Sequence, residues 1–180
     1  MTRFVALLRG INVGGNKRVP MAQLSALLEG LGHSQVATLL QSGNAVFTCR
    51  QSSESKVGRA LEAAIASEFG FEISVVLRTA AQFADAVEAN PFPDARAEPS
   101  RFLLFFLSAP PDPERMRELE PARYLPDEFR LNGREIYARF PDTIRDSKLA
   151  VVLGGKKLGI TATARNWNTV LKLRSLVDGG

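Results

Sequence analysis

The sequence predicts an α+β protein built from two ferredoxin-like subdomains, each a split βαβ with an antiparallel sheet, over residues 1–90 and 91–180. Three observations carry the prediction. Two strongly apolar runs, Phe4 to Leu8 and Phe102 to Leu107, each begin a similar succession of strand and helix signals. In the first half that succession reads β-α-β-β-α-β, and in the second β-α-β-β-α. A polar stretch from Asn90-Pro91-Phe92-Pro93 to Ser100 separates the halves as a linker or long loop.

Phe4 to Leu8 is continuously apolar, the pattern of a central strand covered on both faces. After a glycine-rich turn, Pro20 and Met21 open a helix in which Met21, Leu24, Leu27, Leu28 and Leu31 recur at helical spacing, and Gly30 and Gly32 end it. Val36 to Leu40 and Ala45 to Cys49 are strands joined across Gln41-Ser42-Gly43-Asn44, a link short enough for a hairpin. Val57, Leu61, Ile65 and Phe69 mark a second helix, and Ile73 to Leu77 a fourth strand. Thr79 with Gln82 forms a capping box for a helix running to about Glu88.

Beyond the polar stretch, the run to Leu107 is a strand, and Asp112-Pro113 starts a helix with a capping carboxylate and an N1 proline. Phe129 to Leu131 and Ile136 to Phe140 flank Asn132-Gly133, a strong hairpin-turn signal. Ser147 to Leu153 reads as a helix, and the last helix runs from about Asn166 to Val177. The halves match in element order but not residue by residue. Their first strands have no polar face, so the side of each sheet away from the helices must also be covered. Packing of the subdomains in a monomer would do it, and so would a homodimer.

At 180 residues, with 45% hydrophobic and 23% charged residues, the composition is that of a globular protein with one ample core or two small ones. No apolar run approaches a membrane span and no signal-peptide pattern is present, so a cytoplasmic location and no membrane partner are expected. Cys49 and His33 are the lone residues of their types, which excludes a disulfide framework and a Cys/His zinc site within one chain. No metal is expected, and which cofactor, if any, the protein uses is not readable from the sequence. The net charge of +4 is concentrated at the ends. Residues 1–53 hold Arg3, Arg9, Lys17, Arg18 and Arg50 against Glu29, and residues 143–177 hold seven cations against Asp146. An anionic partner, either a small molecule or a nucleic-acid backbone, would meet surfaces from both termini.

The stretch Leu7-Leu8-Arg9-Gly10-Ile11-Asn12-Val13-Gly14-Gly15-Asn16-Lys17 concentrates the chemistry. Its glycines take positive φ cheaply and its asparagines tolerate it, so successive N–H groups can form an anion nest just before a helix N-terminus. Arg9, Lys17 and Arg18 flank the turn, and no acid precedes Glu29. The stretch is not a Walker loop: Gly10 and Gly15 have the spacing, but Asn16 interrupts Gly-Lys and Arg18 replaces the magnesium-binding hydroxyl. Two further polar segments fall where this fold has loops or a helix start: Gln41-Ser42-Gly43-Asn44, and Thr161 to Thr169 with the sequence TATARNWNT.

With these three segments the chain resembles a large, mostly bacterial family of unknown function, DUF1697, whose members open with LLRGINVGG, continue with a QSGN turn and close with T-x-RNWNT. The motifs stand here at Leu7 to Gly15, Gln41 to Asn44 and Thr163 to Thr169, with Ala164 at the variable position. The resemblance spans nearly the whole chain. It implies two ferredoxin-like subdomains and no particular activity. It also implies an apolar residue at the position of His33, which argues against a catalytic histidine.

The expected ligand site gathers all three motifs into one pocket. Arg9, Lys17 and Arg165 supply charge and the N–H groups near Gly14 and Gly15 hold an anion. Asn12, Asn16, Ser42, Asn44, Asn166, Asn168 and Thr169 orient the rest by hydrogen bonds. The structural alternative is that these polar residues cap helices and satisfy one another, Asn166 being equally suited to an N-cap. The best functional reading is binding of an anionic, phosphate-bearing ligand. An enzyme that acts on a phosphorylated or carboxylated small molecule by positioning and anion stabilisation is the second. A structural or interaction protein without a small-molecule site is the third. A sheet-surface RNA reader is disfavoured, since the two central strands of the first sheet offer only Phe4 and Phe47 for stacking.

Overall fold

The computed structural model describes residues 1–179 and contains two separate four-stranded antiparallel sheets. The first has the order β2-β3-β1-β4, from β1 (Thr2–Leu8), β2 (Ser34–Leu39), β3 (Asn44–Cys49) and β4 (Val75–Thr79). It carries helices α1 (Met21–Gly30) and α2 (Glu54–Phe69), and β4 leads into α3 (Ala80–Glu88). The second has the order β6-β7-β5-β8, from β5 (Phe102–Leu107), β6 (Glu128–Asn132), β7 (Glu135–Arg139) and β8 (Ala162–Asn166). It comes with α4 (Pro113–Arg117) and α5 (Lys148–Gly154), and β8 leads into α6 (Trp167–Asp178). Both sheets are split βαβ arrangements, and the two apolar runs lie at internal positions as β1 and β5.

Alternation along these strands explains why they are apolar throughout. Phe4, Ala6 and Leu8 point into a core with Leu24, Leu28, Leu61 and Ile65 of α1 and α2. Val5 and Leu7 face the other way and are equally buried. In the second sheet Phe105 and Leu107 join Leu149 and Leu153 of α5, while Leu104 and Phe106 on the opposite face are buried too. Each such side chain contributes about 1.5–3 kcal/mol when removed from water.

The expected caps form. Thr79 Oγ1 accepts the Gln82 N–H at 3.2 Å while Gln82 Oε1 accepts the Thr79 N–H at 2.8 Å. Asp112 Oδ1 accepts the Glu114 N–H at 2.8 Å ahead of Pro113.

The element that the sequence reading lacks is β8. Ala162–Asn166 pairs along β5 from Leu107↔Ala162 to Leu103↔Asn166, which completes βαββαβ in the second half. The fourth strand of the first half likewise runs past the apolar signal through Arg78 and Thr79, which pair with Val5 and Phe4. The two fourth strands correspond in detail. Arg78 lies opposite Val5 and Arg165 opposite Leu104, both arginines are buried, and the next residue caps the following helix. Thr79 does so for α3, and Asn166 for α6 through Oδ1, which accepts the Thr169 N–H at 2.9 Å and its hydroxyl at 3.0 Å.

The chain divides into two compact units, Met1–Asp85 with the chain from Lys172 onward, and Ala86–Leu171. The composition changes after residue 90, whereas the compact units divide between Asp85 and Ala86 and again between Leu171 and Lys172. Tyr137 donates its hydroxyl to the Ala86 carbonyl at 2.7 Å, within the second unit. Arg3 donates Nη2 to the Leu176 carbonyl at 2.9 Å, which ties the end of α6 to the first unit. Among the described residues no helix is long and apolar enough to cross a membrane.

Candidate functional site

The glycine-rich connection between β1 and α1 folds as a miniature hairpin. The Asn12 N–H donates to the Lys17 carbonyl at 3.1 Å and the Asn16 N–H to the Val13 carbonyl at 3.3 Å, with Gly14 and Gly15 at the tip at φ of +62° and +79°. This is a two-residue turn with positive φ at both central positions, the twist that suits a hairpin. The N–H groups of Asn12 and Asn16 are therefore used inside the loop.

Asn12, itself at φ +55°, organises what surrounds that hairpin. Its Nδ2 donates to the Val19 carbonyl at 2.9 Å and to the Gln41 carbonyl at 2.6 Å, and its Oδ1 accepts the Val19 N–H at 2.9 Å. One side chain thus joins the chain entering α1 to the turn between β2 and β3. A second tie runs from the Leu8 N–H to the Gly43 carbonyl at 2.9 Å. Two of the three polar motifs consequently meet in the first unit. Within the second motif Asn44 is fully buried and donates Nδ2 to the Leu39 carbonyl and to Ser42 Oγ, at 2.8 and 3.0 Å.

Between the hairpin and the start of α1 lies a cleft of ≈ 830 Å³. Asn12, Gly15 and Asn16 of the first motif line it. Arg18 and Gln41 join them, together with the first turn of α1 from Pro20 to Ala22. The helix begins without a side-chain hydrogen bond to its first N–H groups, its N-cap being Pro20. No acidic side chain lines the cleft.

Arg9, Gly14, Lys17, Ser42 and Asn44 lie outside this lining. Lys17 instead donates Nζ to the Glu72 carbonyl at 2.7 Å. Arg18 and Gln41 are thus cleft-lining residues outside the set expected from the sequence. The sequence signal for Arg18 is its place two residues before the helix-capping Pro20, where a cation adds to the positive end of the helix.

The third motif belongs to the second unit. Arg165 is 7% exposed, donates Nη1 to Thr163 Oγ1 at 2.9 Å and to the Ala164 carbonyl at 2.8 Å, and burial lowers its pKa to about 10, so it stays charged at neutral pH. Asn166 is the cap described above, Trp167 and Thr169 are buried, and Asn168 is exposed. Among the described residues no three His, Cys, Asp or Glu side chains cluster as metal ligands.

A second, smaller cleft of ≈ 550 Å³ in the first unit is lined by Leu31, Gly32, His33, Cys49, Arg50 and Gln51. His33 stacks on Phe47 with ring centroids 4.6 Å apart, and burial lowers its pKa from the ordinary 6.5. The folded state therefore binds the proton less readily than the unfolded chain. The stability this represents is complete above pH 6.5 and is lost as pH falls through the folded value. Melting temperature should fall between pH 7.5 and pH 5.5, and His33→Phe should lose less over that interval than the wild type. Equal losses would remove His33 from the account.

The model of a family described as a protein of unknown function, DUF1697, matches residues 1–137. No curated protein matches the chain. Among solved structures, a conserved bacterial protein from Streptococcus pneumoniae is similar, with a TM-score of 0.74 at 24% identity over 98% of both chains. That likeness is one of fold.

Proposed function

The chain belongs to the DUF1697 family, which carries no assigned activity, and we propose from its geometry that the first unit binds an anionic, phosphate-bearing small molecule in the cleft at the start of α1. One observation carries the proposal. The first turn of a ten-residue helix whose N-cap makes no side-chain hydrogen bond and the exposed residue Arg18 line the same cleft, and no acidic residue is among its lining. The helix supplies unpaired N–H groups and partial positive charge, and the guanidinium supplies a fork that matches phosphate or carboxylate oxygens. Asn16 and Gln41 add carboxamides for the remainder of the ligand, while Pro20, Met21 and Ala22 give it an apolar wall. This mixture suits a nucleotide or sugar phosphate better than a bare polymer backbone, which needs no enclosed apolar surface.

Thermal shift and titration calorimetry with inorganic phosphate, a nucleoside monophosphate and short single- and double-stranded DNA, each at two salt concentrations, test it. The monophosphate should raise the melting temperature by about 5–10 °C at a hundredfold excess over its Kd. Arg18→Ala should weaken that binding about tenfold, the value of one charge-assisted hydrogen bond of roughly 1.5 kcal/mol. Because Arg18 is exposed, the unliganded protein should melt nearly unchanged. Preference for DNA over the monophosphate, with a steep salt dependence and no sequence selectivity, would favour backbone binding instead. Absence of binding by every probe refutes both readings.

A further inference from the structure

We infer that the hairpin tip Val13–Asn16 is a lid that closes over the occupant of the α1 cleft, an inference that rests on the proposed ligand site. The contrast between the feet of the hairpin and its tip carries it. Both feet are fixed: Asn12 by its side-chain bonds to Val19 and Gln41, and Lys17 by its bond to the Glu72 carbonyl. The tip is not packed. A Cβ built on Gly14 or Gly15 meets nothing within 4 Å, Val13 is 70% exposed, and the tip is closed by a long 3.3 Å hydrogen bond from the Asn16 N–H to the Val13 carbonyl.

An arm held firmly at its base and free at its end moves about its base, and this end already forms one wall of the cleft through Gly15 and Asn16. Closing it over a ligand would take the apolar Val13 side chain out of water and bring the Asn16 carboxamide and the tip N–H groups onto the anion. Such closure slows escape of the ligand more than it speeds entry.

Residue-resolved amide exchange with and without a saturating nucleoside monophosphate tests the lid. The expected result is added protection at Val13 to Asn16, with the feet at Asn12 and Lys17 changed little. Val13→Ser should raise the dissociation rate roughly fivefold to tenfold with little change in association. This exposed position should not disturb folding, so the melting temperature of the free protein should hold. Monophosphate binding with exchange at the tip unchanged, or with unchanged dissociation in Val13→Ser, overturns the lid and leaves the ligand site standing. Failure of the monophosphate and inorganic phosphate to bind at all overturns both.

Discussion

Gly43→Ala should cost about 2–5 kcal/mol, the sum of roughly 1–2 for forcing alanine into left-handed backbone and 1–3 for overpacking. Gly43 stands at φ +80°, and a Cβ built there lies 2.7 Å from Ile11 Cδ1 and 2.8 Å from Leu8 Cβ. Leu8 is a buried residue of β1 and Ile11 belongs to the core of the first unit, so neither can withdraw without disturbing its neighbours. Relief by moving the turn is blocked as well, because the Gly43 carbonyl accepts the Leu8 N–H. Gly14→Ala is the matched control: it has a similar φ of +62° and open space around the new methyl, so it should cost only the backbone share, roughly 1–2 kcal/mol. Urea unfolding of the two variants separates strain from contact. If they lose equal stability, the close approach of the second motif to β1 is not what makes Gly43 necessary.

That close approach is also why part of the site could be read from the sequence. Glycine in QSGN and glycine in LLRGINVGG both signal positive φ or tight approach, and the two turns do adjoin. The elements with strong local chemistry were equally legible: the apolar runs of β1 and β5, the Thr79 and Gln82 capping box, the Asp112 cap, and the Asn132-Gly133 hairpin. The strand β8 was hidden because its helix-facing residues are the small Ala162 and Ala164, while Thr163 and Arg165 fill the other face. A buried arginine reads as a surface charge until its strand partner is known. In the β1 to α1 connection the Gly-Gly pair is itself a hairpin signal, and there the Asn12 and Asn16 N–H groups bond within the turn. Choosing among the flanking cations needed three dimensions. Lys17 and Arg18 are neighbours in the chain, yet Lys17 reaches the Glu72 carbonyl and Arg18 lines the cleft.

The corresponding places in the two units make the same point about function. After β5, the chain reaches α4 through a short proline-rich link, and the carboxylate of Asp112 occupies the helix start. After β1, the longer hairpin connection reaches α1, whose start has no side-chain cap. The N-terminal N–H groups of a helix attract an anion in either case. In one unit the protein supplies that anion itself, and in the other the position opens on a cleft lined by Arg18.

Asn12→Ala should be at least as damaging as Gly43→Ala, at about 3–5 kcal/mol, and should abolish ligand binding as well. The buried Val19 loses the partners of both its N–H and its carbonyl, at about 1–3 kcal/mol for an unsatisfied buried group, and alanine at φ +55° adds roughly 1–2. The Gln41 carbonyl loses its donor, so the wall of the cleft contributed by the second turn is no longer held to the wall contributed by the hairpin. Two further substitutions separate these effects. Asn12→Gly relieves the backbone but restores no bond, so it should recover only about 1 kcal/mol of the loss and none of the binding. Asn12→Asp keeps an acceptor for the Val19 N–H and tolerates the left-handed backbone. It turns a carboxylate toward two carbonyl oxygens, however, and puts a negative charge on the lining of a cleft proposed to hold an anion. It should therefore bind the monophosphate more weakly than its remaining stability predicts, and the deficit should shrink as salt is added, because a like charge is what opposes the ligand. Denaturant unfolding gives the stability order and calorimetry at two salt concentrations gives the binding. Full affinity in Asn12→Gly would show that the two turns need no tie, and undiminished affinity in Asn12→Asp would show that the ligand in this cleft is not an anion.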